Sequence, residues 1–106
     1  MANMAAVVQK IVDALRGDGQ VEKVILFGAQ AMGDGGADGD WDVMVVESGA
    51  VDRRKEGSRL KNKLSGVGVG IDLVVVSREK FDYWRERTGN VYYKAATEGR
   101  VVYEAA

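Results

Sequence analysis

FGAQAMGDGGADGDWDVMVV, residues 27–46, carries glycines at 28, 33, 35, 36 and 39 and aspartates at 34, 38, 40 and 42. Side chains this small or this charged do not build a core. The stretch is therefore either a solvated acidic turn or a place that holds something positively charged. Asp40 and Asp42 stand two apart at the entrance to the apolar run WDVMVV. In a strand, residues i and i+2 point to the same face, so the two carboxylates share a face and Trp41 between them points to the opposite one, into a core. Two carboxylates so placed repel each other unless a proton or a cation intervenes. Asp34 and Asp38 read as members of a flexible acidic loop.

Outward from this stretch the chain alternates helical and strand patterns. Val7, Val8, Ile11, Val12 and Leu15 recur at helical spacing over residues 4–15, and Gly17 suits the end of that helix. VEKVILF, residues 21–27, reads as a strand buried on both faces. WDVMVV (41–46) and GIDLVVV (70–76) are the second and third strands. Between them VDRRKEGSRLKNKLSG, residues 51–66, is a charged helix candidate with few apolar anchors. SREKFDYWRER begins with a good N-cap at Ser77. NVYYKAATEG begins with another at Asn90 and stops at Gly99. RVVYE, residues 100–104, suits a short closing strand. The order predicts one α/β (α+β) domain over residues 1–106, a mixed sheet flanked by helices.

Asp72 sits inside the third strand, where aspartate has poor propensity and an unpaired buried charge is costly. One account has it cap a neighbouring loop. The more economical one places it beside Asp40 and Asp42, so that three carboxylates share divalent cations. Two such ions, about 3.5–4 Å apart, clamp a phosphoryl group during in-line displacement. Gly28 and Gly33 would let backbone N–H groups approach a triphosphate, with a helix starting near Ala29.

Composition narrows the chemistry. The chain has no cysteine and no histidine, and a net charge of −1. That removes disulfides, thiolate metal sites and every nucleophile activated by histidine. Carboxylates with hard oxygen ligands remain, and these favour Mg²⁺, Mn²⁺ or Ca²⁺. The absence of basic excess argues against direct nucleic-acid binding. No apolar run approaches the ~20 residues that span a bilayer, and MANMAAVVQKIVDAL does not read as a signal peptide. The cytoplasm is the expected compartment.

Three familiar motifs fail. GAQAMGD has the glycines of a phosphate-binding loop, but Asp34 stands where its lysine belongs. DGDWD matches EF-hand positions 1, 3 and 5, but Val43 replaces the turn glycine and Gly49 the closing glutamate. VGVGID lacks the helix that follows a dinucleotide fingerprint. RRKEGSRLKNK, residues 53–63, holds six basic residues and one acidic residue, and reads mainly as a solvated helix face. Phe81, Tyr83, Trp84, Tyr92, Tyr93 and Tyr103 are expected mainly to pack inside, with a protein interface as the other use.

At these residues the chain resembles the minimal nucleotidyltransferases (MNT) of the DNA polymerase β-like superfamily. Their signature is Gly-Ser, ten residues, then Asp-x-Asp, with a third aspartate on a later strand. Here GA at 28–29, ten residues, and DWD at 40–42 keep the spacing, and Asp72 stands in IDLVVV. The resemblance covers nearly the whole chain. The tail GNVYYKAATEGRVVYE, residues 89–104, is similar to that of bacterial MNT proteins paired with HEPN-domain toxins. The resemblance implies ATP as substrate, two Mg²⁺ (or Mn²⁺) ions on Asp40, Asp42 and Asp72, and nucleotide contacts at Gly28, Ala29 and Gly33. It implies attack of an acceptor hydroxyl on the α-phosphorus with loss of pyrophosphate, Asp72 assisting the hydroxyl. The acceptor would be a hydroxyl of the HEPN toxin, which AMP modification silences, making the chain an antitoxin.

Two positions depart from the pattern. The family serine is Ala29, and the arginine of Gly-Ser-x-Ala-Arg-Gly is Met32. A lost hydrogen bond to a charged group costs about 1.5–3 kcal/mol, so turnover is expected to be reduced. Two further functions stay open on the sequence: masking of the partner by binding alone, and nucleotide transfer to a small molecule. Self-association also stays open.

Overall fold

The structure is a computed structural model that describes residues 4–36 and 39–106. Its elements are α1 (Met4–Leu15), β1 (Val21–Phe27), α2 (Gly28–Ala31), β2 (Trp41–Glu47), α3 (Arg53–Lys63), a 3₁₀ turn at Ser65–Val67, β3 (Ile71–Ser77), α4 (Arg78–Trp84), α5 (Val91–Glu98) and β4 (Arg100–Glu104). The strands form one sheet in the order β3-β2-β1-β4. β1 runs antiparallel to both β2 and β4, whereas β2 and β3 are parallel. A parallel pair needs a crossover, and α3 supplies it. The mixed sheet flanked by helices is the expected class.

Strand alternation divides the interior in two. On one face Val24, Leu26, Trp41, Val43 and Val45 pack against Val7, Ile11 and Leu15 of α1 and Leu60 of α3. On the other, Ile25, Phe27, Met44, Val46 and Val76 pack against Phe81 of α4 and Ala95 of α5. Cutting a fully buried residue such as Ile11 or Leu26 to alanine costs about 2–5 kcal/mol. The caps are those the sequence announces. Ser77 accepts the Lys80 N–H, and Asn90 accepts the N–H groups of Tyr92 and Tyr93. At Gly99 the chain turns from α5 into β4 so tightly that a Cβ would lie 2.7 Å from Ile25 Cγ2 and 2.9 Å from the Leu26 carbonyl.

The basic run on α3 is only partly a solvated face. Arg53, Arg54, Lys55 and Lys61 are exposed. Arg59 instead turns inward and bonds Asp18, Glu56 (2.6 Å) and Glu47 (3.3 Å), and Lys63 Nζ lies 2.9 Å from Asp18 Oδ2. The reason is Glu47, which ends β2 with 1% of its surface exposed; a buried carboxylate must be paired or neutral. Arg59 holds the Asp18 carboxyl well below the usual range, with help from Lys63. Burial, and then the neighbouring Glu56, push Glu47 up to about 7. Glu56 is drawn down, chiefly by Arg59. This cluster fastens the crossover helix to the far end of β2 and to the turn after α1.

The aromatics also divide differently from expectation. Phe81 is buried, but Tyr83 is 55% and Trp84 37% exposed, and Tyr92, Tyr93 and Tyr103 are half-buried. Helix α4 is short, and once Phe81 occupies its one inward position the next two aromatics face outward.

Candidate active site

Backbone register assembles the acidic residues. In the parallel β2–β3 ladder Asp42 is the direct partner of Asp72, one step after Trp41 pairs with Ile71. Asp42 alternates in phase with Met44 and Val46, and Asp72 with Val74 and Val76, so both lie on the face that carries α4 and α5. Trp41, between Asp40 and Asp42, is 4% exposed in the opposite core. Asp40 precedes β2 and rests against the backbone of Gly70, where a Cβ would overlap its carboxylate. The Trp41 N–H donates to the Gly70 carbonyl at 2.9 Å, which fixes the start of the ladder and hence the pairing of the two aspartates.

The electrostatics follow from this pairing. Asp42 is half-buried, and burial raises its pKa first, followed by the charge of Asp72; Asp40 adds in the same direction and Lys94 of α5 opposes. Asp42 and Asp72 share a face, and Asp40 stands beside them without the three converging on a point. Asp40 turns toward Gly70 and Asp42 toward Gly28, and among the described residues no group of three acidic side chains stands at metal-ligand spacing. The donor chemistry fits a hard divalent cation: oxygen ligands alone, with like charges partly withdrawn from water.

The glycine-rich segment borders the same corner. Gly28 opens α2 with φ of +75°, and a Cβ there would lie 3.1 Å from Asp42 Cγ and overlap its Oδ2. Both the conformation and the clearance call for glycine. Gly33 closes the turn with φ of +80°. Ala29 is exposed, and Met32 is 60% exposed. The Ala29 carbonyl accepts the N–H groups of Asp34 and Gly35 at 2.9 and 3.1 Å. Gln30 Nε2 donates to the carbonyls of Gly36 (2.7 Å) and Gly39 (3.0 Å). Asp34 is exposed as expected, yet its backbone is bonded to α2, and Asp38 lies outside the described residues.

Three contributors escaped the sequence reading. Gln30 holds the loop, and nothing in its spacing marks it. Gly70 makes room for Asp40; its only signal is a glycine directly before a strand. Lys94 lines the same cleft as Asp42, and its signal is weak: one lysine beside the apolar stripe of α5.

A family model described as polymerase beta, nucleotidyltransferase matches residues 9–106. A candidate protein adenylyltransferase from Methanocaldococcus jannaschii is 31% identical over 103 residues, covering 95% of this chain and 99% of that protein. Solved structures share the fold. A chain of a toxin–antitoxin complex with AMP-PNP superposes with a TM-score of 0.66 at 19% identity, over 92% of this chain and 73% of that one. A chain of the complex between the tri-AMPylated Shewanella oneidensis HEPN toxin and its MNT antitoxin gives 0.62 at 17% identity, over 97% and 74%.

Proposed function

The chain belongs to the polymerase β nucleotidyltransferase family, and from that premise we propose that it transfers AMP from ATP to a hydroxyl of a HEPN-domain toxin, acting as the antitoxin of the pair. The observation that carries this reading is the register pairing of Asp42 with Asp72, with Asp40 against Gly70 at the start of the same ladder and Gly28 against the Asp42 carboxylate. The named functions of the M. jannaschii relative and of the two toxin–antitoxin complexes support it.

In this reading Asp40, Asp42 and Asp72 hold the Mg²⁺ (or Mn²⁺) ions, and Gly28, Ala29 and Gly33 line the triphosphate. Bound there, the ions supply Lewis-acid neutralisation of the triphosphate and of the departing pyrophosphate. The chain's own part is positional. Register fixes Asp42 and Asp72 side by side, and the missing side chain at Gly28 leaves room for the Asp42 carboxylate to stand against the first turn of α2. Asp72, exposed on the edge strand, faces the side from which an acceptor hydroxyl arrives and accepts its proton. The hydroxyl oxygen then bonds the α-phosphorus and the bond to pyrophosphate breaks. Orientation and charge complementarity supply most of the rate. No helix among the described residues is long and apolar enough to cross a membrane, and we place the reaction in the cytoplasm.

The test is intact mass of the HEPN partner after incubation with the protein, ATP and Mg²⁺. Addition of AMP is expected, and Asp42→Asn should abolish it. A partner left unmodified by the native chain overturns the enzymatic reading. A second reading, neutralisation by binding alone, is favoured by Met32, an exposed apolar side chain where the family has arginine. An Asp40→Ala/Asp42→Ala double variant that still neutralises the toxin would establish it.

A further inference from the structure

We propose that Lys94 is the cation that contacts the β- and γ-phosphates of the bound nucleotide, replacing the charge that Met32 does not provide. The inference rests on the nucleotidyltransferase reading above and assigns a residue that the sequence pattern leaves blank.

A triphosphate needs positive charge from the protein as well as from metal. The segment that should deliver it has none: no Lys or Arg occurs between Lys23 and Arg53. The whole glycine-rich turn and all of β2 are thus without a cation. The charge must come from an element that the fold lays over the Asp42 corner, and that element is α5. Asn90 caps it through the Tyr92 and Tyr93 N–H groups, each at 2.9 Å, and Ala95 is buried against Ile25 and Phe27 on the sheet. The helix is therefore fixed at its start and along its inner face.

Lys94 precedes Ala95 and borders a cleft of about 480 Å³ that also touches Phe27, Asp42, Tyr93 and Glu98. It is the one basic side chain among the described residues lining that cleft. It is exposed and makes no ion pair within 4 Å among the described residues, Glu98 one turn later included. Other cations are committed elsewhere: Arg59 and Lys63 to the Asp18 cluster, Arg85 to the Phe81 ring and Arg87 to the Tyr83 ring. Arg53, Arg54 and Lys61 border Asp72 from the α3 side, away from Gly28. An unpaired ammonium on a rigid helix, lining the same cleft as the carboxylate that abuts Gly28, is placed for an oligophosphate.

Calorimetric titration of the full chain with AMP-PNP and with AMP, each with Mg²⁺, tests this. Lys94→Ala should weaken AMP-PNP about tenfold and leave AMP within about twofold. Lys94→Arg should recover most of the loss, and Lys61→Ala should leave AMP-PNP binding unchanged. Lys94 is exposed, so circular dichroism of the variant is expected to match the native chain. Unaltered AMP-PNP affinity in Lys94→Ala overturns the inference while leaving the parent reading intact, as does an equal loss for both nucleotides. A native chain that binds no AMP-PNP overturns both.

Discussion

The Cα of Gly28 and the carboxylate of Asp42 face each other with no room for a methyl group between them, because Phe27 and Asp42 are register partners in the β1–β2 ladder and α2 starts at the next residue. Gly28→Ala would meet two costs. Its φ of +75° penalises a side chain by roughly 1–2 kcal/mol, and the new Cβ would force the Asp42 carboxylate into another rotamer. We expect AMP transfer to fall by at least about a hundredfold, with a modest drop in Tm. Turnover by the variant, compared with its melting curve, checks this; native activity would show that the position of the Asp42 carboxylate is irrelevant.

Ala29 gives the complementary experiment. It is exposed at the first turn of α2, so a hydroxyl fits without disturbing the fold. Ala29→Ser should raise kcat/KM for ATP about tenfold, the value of one hydrogen bond to a charged group. A rate equal to that of the native chain would mean that the nucleotide does not pass this residue.

Stability should depend on pH through Glu47. Its carboxyl is pushed up to about 7 from an ordinary 4.5, so between those values the folded chain holds a proton that the unfolded chain has released. Stability then falls as pH rises across that window. Denaturant titrations at about pH 5 and about pH 7.5 should differ by roughly 2 kcal/mol in the native chain and by less than about 1 in Glu47→Gln. Below about pH 4 the sign reverses, because Asp18 and Glu56 are held low in the folded state and their contribution is lost as they protonate.

Arg59→Met should cost about 2 kcal/mol, allowing for the partial exposure of the guanidinium, since it leaves Asp18, Glu47 and Glu56 without their common partner. Arg53→Met, on the solvated side of the same helix, should stay within about 0.5 kcal/mol. Equal effects at the two positions would mean that the cluster carries no stability.

What could be read from the sequence was whatever depends on short range. The period of two sent Trp41 to the core opposite the Asp42 face. Ser77 and Asn90 announced helix starts because caps are local, whereas Gly99 ends α5 in extended backbone and is glycine for its close approach to Ile25 and Leu26. A charged residue in an apolar strand singled out Asp72, and the parallel register then set it opposite Asp42. What could not be read depends on distant pairs. Asp18, Glu47 and Arg59 meet only because α3 crosses back over the sheet, so Arg59 looked like one more solvated cation. Lys94 gains its meaning from Asp42, more than fifty residues earlier. Composition alone favours an interior place for Tyr83 and Trp84, whereas Phe81 alone fills the inward position of a helix of seven residues.

The parallel ladder has a consequence for how such a protein can change over generations. Asp42 and Asp72 are aligned by main-chain hydrogen bonds, so their juxtaposition survives any substitution that keeps the sheet. The side chains at 29, 32 and 94 all lie on helical surface or at its margin, where exchange leaves the fold nearly untouched. Changes at a few exposed positions can therefore alter what the site binds, while whatever side chains stand at 42 and 72 remain neighbours through the backbone.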